Sequence, residues 1–163
     1  MVGRRGFLKW GLVGTSVLAA VGLGSTFVGR DAAGDRRTVL RGIAPALLAG
    51  AIPPPGAEHE AELARLLDGL VVAIESLSPQ SQHELRLLFL LLATPGGRWL
   101  AGIGSSWERA EPEQVAHALQ QWRAHRLALM QTAYHALHDL VLGTWYAEPS
   151  HWERIGYPGP PRL

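Results

Sequence analysis

Beyond residue 30, apolar residues recur at threes and fours, the period of amphipathic helices, and no convincing strand pattern accompanies them. Val39, Leu40, Ile43, Leu47 and Leu48 stripe residues 36–50, with Asp35 placed to cap the helix and Gly50 to end it. Pro45 lies inside this stretch and predicts a kink or a split into two short helices. Residues 52–56, Ile-Pro-Pro-Pro-Gly, form a stiff non-helical link. The next stripe, Leu63, Leu66, Leu67, Leu70, Val71 and Ile74, predicts a helix over 57–77, with Glu58, Glu60 and Glu62 solvated near its start. Ser78 and Pro79 then open a helix that reaches about residue 93. Its stretch 85–92 is apolar almost all round, which marks it as the candidate central core helix.

Residues 94–97, Thr-Pro-Gly-Gly, break the chain, and 98–111 reads as a loop or short helix carrying Trp99 and Trp107. Pro112 opens a helical stretch to about residue 146 whose apolar set runs from Val115 to Val141. The polar Ala124-His125-Arg126 within it predicts a bend or break. Residues 147–163 contain four prolines and two glycines and leave room for one helical turn, near 150–155. The expected fold is all-α, a small bundle of four to six helices with an N-terminal signal or anchor helix and an irregular Pro/Gly-rich C-terminal tail. The domains are 1–30 leader, 31–146 helical domain and 147–163 tail.

The leader changes the picture most. Arg4-Arg5-Gly6-Phe7-Leu8-Lys9 precedes residues 10–28, a run without charge. Two adjacent arginines, an aromatic two positions on, then Leu and Lys match the twin-arginine export signal, which a translocase reads as an address. Arg4, Arg5, Phe7, Leu8 and Lys9 are its signal residues. An ordinary membrane anchor with basic flanks is the alternative. The run would span ~28 Å as a helix, close to a bilayer's hydrocarbon core. Glycines, serines and threonines dilute it, which suits a twin-arginine leader. No clean cleavage site follows. The expected location is periplasmic, held at the membrane by a retained leader.

Charge and composition exclude several classes. The chain is +1 overall, with 15 basic and 14 acidic residues. Arg4, Arg5, Lys9 and Arg30 lie in the leader, which leaves 11 arginines against 14 acids and a charge near −3 beyond it. No basic face for nucleic acid results. Without cysteine there is no disulfide, Cys-ligated zinc or iron–sulfur cluster.

Candidate chemistry is sparse. His135 and His138 share a helix face at i, i+3, a spacing that suits zinc, copper or haem iron once further ligands are found. Such histidines more often bond backbone or water along a polar seam. Ser105 and Ser106 lack the strand that a nucleophile elbow requires, and Gly102-Ile103-Gly104 lacks the setting of a dinucleotide loop. No catalytic residue is expected, and no cofactor in this chain. The tail, by contrast, places Trp145, Tyr146, Trp152 and Tyr157 within thirteen residues of stiff backbone. Aromatics with little entropy left to lose are good anchors for a partner. Packing of the same tail on its own bundle, with Trp145 and Trp152 completing the core, is the equal alternative.

The leader, the helical body and the ending Trp145-Tyr146-x-x-Pro149-x-x-Trp152-x-x-Ile155-Gly156-Tyr157-Pro158-Gly159-Pro160-Pro161 resemble the gluconate 2-dehydrogenase subunit 3 family, small accessory subunits of periplasmic flavin-dependent dehydrogenases. Trp122-Arg123-x-x-Arg126-Leu127-Ala128-Leu129 and Tyr134-x-Ala136-Leu137-His138 also look like that group. The resemblance implies a non-catalytic escort. Its partner would be a large FAD-containing oxidoreductase of the glucose–methanol–choline type, exported on this chain's signal, with a multihaem cytochrome c as electron acceptor. Trp145, Tyr146, Trp152, Ile155, Tyr157 and Pro158 are the expected partner-binding residues. A small His-ligated haem or metal protein, or a stand-alone membrane-anchored envelope protein, are the alternatives.

Overall fold

A computed structural model describes residues 32–152 and 156–159. In chain order they form α1 (Ala32–Leu47), α2 (Ala57–Glu75), α3 (Pro79–Ala93), α4 (Pro95–Leu100), α5 (Pro112–Arg123), α6 (Ala128–Ala147) and a 3₁₀ turn, Pro149–His151. No strand occurs among the described residues. The all-α expectation therefore holds. The leader expected over 1–30 lies outside the described residues.

The centre of the bundle is α1, not α3. Helix α1 packs against α2, α3, α5 and α6, and Val39, Leu40, Ile43, Ala44 and Leu48 are all at most 2% exposed. The uniformly apolar run in α3 suggested otherwise, but Leu87, Leu88 and Leu91 are only half-buried. What lets α1 take the centre is its small residues. Trp107 lies over Gly42 so closely that a Cβ there would be 2.8 Å from the indole.

Pro45 does not split α1, and the helix is continuous to Leu47. The proline removes only one N–H, near the last turn, and the buried stripe on either side of it outweighs the loss of that bond. The helix also extends to Ala32, so Asp35 lies in its first described turn rather than at a cap. Gly50, at φ 84°, turns the chain out of the helix end.

The remaining helix starts follow local chemistry. Ser78 Oγ accepts from the Ser81 N–H at 3.2 Å and caps α3. Gln82 Nε2 donates to the carbonyls of Glu75 and Leu77 and ties α3 back to the end of α2. Thr94 ends α3 and starts α4 at once. Its hydroxyl donates to the Leu91 carbonyl at 2.7 Å and accepts from the Gly97 N–H at 2.9 Å. Gly97 is required there, because a Cβ would lie 1.9 Å from the Leu91 oxygen. Two indoles then fasten the loop after α4. Trp107 Nε1 donates to the Leu92 carbonyl at 2.8 Å, and Trp122 Nε1 to the Ala101 carbonyl at 2.9 Å. The expected break between residues 124 and 126 is present. It runs to Leu127, and Gln131 Nε2 braces it by donating to the His125 carbonyl at 2.7 Å.

Candidate functional site

The junction where the tail meets the bundle brings together two buried polar side chains, Glu62 and His151. Trp145, in the last turn of α6, is 1% exposed. Pro149 starts a single 3₁₀ turn that swings His151 back over it. The two rings stack, with centroids 3.6 Å apart and planes 9° apart. His151 Nδ1 donates to the Trp145 carbonyl at 2.7 Å. Its Nε2 lies 3.3 Å from Glu62 Oε2 on α2. With Nδ1 already a donor, the contact to Glu62 needs a second proton, carried by Nε2 or by the carboxyl group. The other carboxylate oxygen, Glu62 Oε1, meets Arg65 Nη2 at 3.3 Å.

Glu62 was expected to be solvated with Glu58 and Glu60. Those two are exposed, but Glu62 is only 7% exposed and His151 likewise. The helix period explains the difference. Residues 58, 60 and 62 point in different directions, and only 62 shares the buried side with Leu63 and Leu66. Burial of that carboxylate is tolerable because both of its oxygens have a polar partner.

The tail residues separate into two groups. Trp145 closes the core rather than presenting itself at the surface. Trp152 is half-buried, and its Nε1 donates to the Tyr146 carbonyl at 2.8 Å. Tyr157 returns to it, with its N–H bonded to the Trp152 carbonyl at 3.0 Å and its ring edge-on to the indole at 5.4 Å. Gly159 passes over the same indole at φ 91°, where a Cβ would come within 3.2 Å of the ring. Packing on the bundle is thus what Trp145, His151 and Trp152 do. Tyr146 is half-buried, while Tyr157, at 45% exposed, and Pro158 face outward. Ile155 and the signal residues Arg4, Arg5, Phe7, Leu8 and Lys9 lie outside the described residues.

His135 and His138 both pack beside Tyr134. The His135 ring meets the Tyr134 ring edge-on at 5.2 Å and the His138 ring meets it tilted at 5.4 Å, and His138 Nδ1 contacts its neighbour Asp139 Oδ1 at 3.0 Å. Among the described residues, no group of three or more His, Cys, Asp or Glu could hold a metal ion. Ser106 is engaged with Glu108. The Glu108 backbone N–H and the Ser106 hydroxyl hold that carboxyl below the usual carboxylate range, with Arg98 and Arg109 adding to the effect. Ser105 Oγ reaches Gln114 Oε1 only at 3.5 Å. Neither serine faces a histidine in any described hydrogen bond.

Several large apolar side chains are exposed instead. Trp99 is 79% exposed, Leu100 58% and Leu127 61%. Among the described residues, no helix is long and apolar enough to cross a membrane. Comparison with known protein families, curated proteins and solved structures found no match.

The sequence reading missed His151 and the role of Glu62. The two are 89 positions apart, and neither belongs to a motif. A faint signal did exist: a histidine between two tryptophans in a Pro-bounded turn is a compact aromatic cluster, and such clusters tend to fold onto a core.

Proposed function

We propose that this chain is a non-catalytic accessory subunit that carries a flavin-dependent dehydrogenase through twin-arginine export and then stabilises or tethers it at the membrane. The observation that carries the reading is the pairing of Arg4-Arg5-x-Phe7-Leu8-Lys9 with an aromatic, Pro-rich tail that resembles the ending of such subunits. The tail's geometry supports it. Its base is fastened by His151 and Trp152, and its outer residues Tyr157 and Pro158 are open to contact. A fastened segment with exposed aromatics loses little entropy on binding. Exposed Trp99 and Leu100 offer further anchors of the kind that interfaces use.

FAD belongs to the partner in this reading, and a cytochrome c is the acceptor that the resemblance implies. The partner crosses on the signal of this chain, so their complex must survive transit, which requires an extensive apolar interface. The test is replacement of Arg4 and Arg5 by Lys, with both proteins followed by cell fractionation. Both are expected to remain in the cytoplasm. A partner still exported would refute the escort role.

A further inference from the structure

The first turn of α1 carries small residues, Ala33 and Gly34. A cleft of about 190 Å³ opens there between α1, α2 and α3, with Ala33 in its wall. Its floor is Ile74, Leu85 and Phe89, and Arg36 and Arg86 stand at its rim. The nearby arginines are already committed. Arg37 pairs with Asp68 at 2.9 Å, and Arg41 pairs with Glu60. Arg36 and Arg86 make no ion pair among the described residues. The cleft thus joins an apolar floor to two cations available for an anion.

Its place in the chain suggests what fills it. The uncharged run ends at Val28, five residues before Ala33 on the cleft wall. Five residues reach at most ~18 Å even when fully extended. A leader held in the bilayer therefore keeps this cleft close to the lipid headgroups.

We infer that this cleft takes one anionic phospholipid from the membrane that the leader enters, its phosphate on Arg36 and Arg86 and the start of a chain against Ile74, Leu85 and Phe89. The inference rests on the tethering part of the proposed function and does not depend on which flavoprotein is escorted. Lipid at this point would set the orientation of the helical body on the bilayer, where a single leader alone would leave it free to turn.

The test is native mass spectrometry of the full chain in detergent, with phosphatidylglycerol or phosphatidylcholine of identical chains added. One phosphatidylglycerol should be retained in preference to phosphatidylcholine. Each arginine at an anionic lipid surface contributes roughly fivefold, so Arg36→Gln with Arg86→Gln should weaken that retention ~25-fold. Arg123→Gln, at the exposed end of α5, should leave it unchanged. Equal retention of the two lipids would overturn the inference, as would a double variant that binds like the parent. Displacement of the lipid by millimolar inorganic phosphate would mark a free-anion site and overturn it equally. A failed tether would show elsewhere, as this chain appearing leaderless in the soluble periplasmic fraction.

Discussion

His151→Ala removes three interactions at the tail junction at once. The stacked face on Trp145, at 3.6 Å, is worth about 0.5–1.5 kcal/mol. The 2.7 Å bond to the Trp145 carbonyl adds about 0.5–1.5 kcal/mol. The contact to Glu62 would contribute roughly 1.5–3 kcal/mol at ideal length, but it is 3.3 Å long, and Arg65 still holds the other carboxylate oxygen after the change. The lower end applies, and the total expected loss is about 2.5–4.5 kcal/mol. Glu62→Gln keeps the shape and an acceptor oxygen while removing the charge, so it should cost only about 1 kcal/mol. Urea unfolding of the full chain in mild detergent, followed by tryptophan fluorescence, measures both. Chymotrypsin sensitivity at Trp152 and Tyr157 reports separately whether the tail has come loose. A loss below about 0.5 kcal/mol for His151→Ala would refute the reasoning. Equal losses for the two variants would show that the stack contributes nothing.

Two glycines in helices should respond to alanine with opposite sign. Gly143→Ala has nothing within 4 Å of the new Cβ and should stabilise by about 0.5–1 kcal/mol, the ordinary helix-propensity gain. Gly42→Ala has the same gain but drives a Cβ to 2.8 Å from Trp107 Cε3 and 3.1 Å from the Trp107 carbonyl oxygen. That indole is pinned by its bond to Leu92 and cannot retreat freely. The overpacking cost of about 1–3 kcal/mol should make Gly42→Ala the less stable of the two by that amount in thermal unfolding. Thr94→Ala should cost about 1 kcal/mol through loss of the α4 cap, visible as faster amide exchange at Gly97. An NMR titration of Glu108 should find its midpoint below the ordinary carboxylate value of 4.5, and Ser106→Ala should bring it back toward that value.

What the sequence made legible was local. Ser78-Pro79 and Pro112 marked helix starts, and the polar 124–126 stretch marked the break before α6, because caps and breakers act on their immediate neighbours. Thr94 shows the limit of that logic. It reads as part of a breaker, yet the same hydroxyl ends one helix and begins the next. The central helix was misjudged for a different reason. An all-round apolar run describes what α3 could bury, whereas burial is decided by what surrounds a helix, and α1 has four helices around it. Pro45 was overweighted likewise, since its cost is fixed and the packing that offsets it is tertiary. At the candidate site, Trp145 and Trp152 were legible as a cluster, but Glu62 was not. Its partner is 89 residues away, and no period or spacing links the two.

The central claim is that this chain escorts and holds a flavoprotein. Affinity purification of the C-terminally tagged full chain from membrane and periplasmic fractions, with mass spectrometry and a visible absorbance spectrum, tests it most directly. The account predicts a stoichiometric flavoprotein with no export signal of its own and a flavin spectrum in the eluate. A lone, colourless and monodisperse protein would contradict it and leave a stand-alone envelope protein with its tail packed on itself.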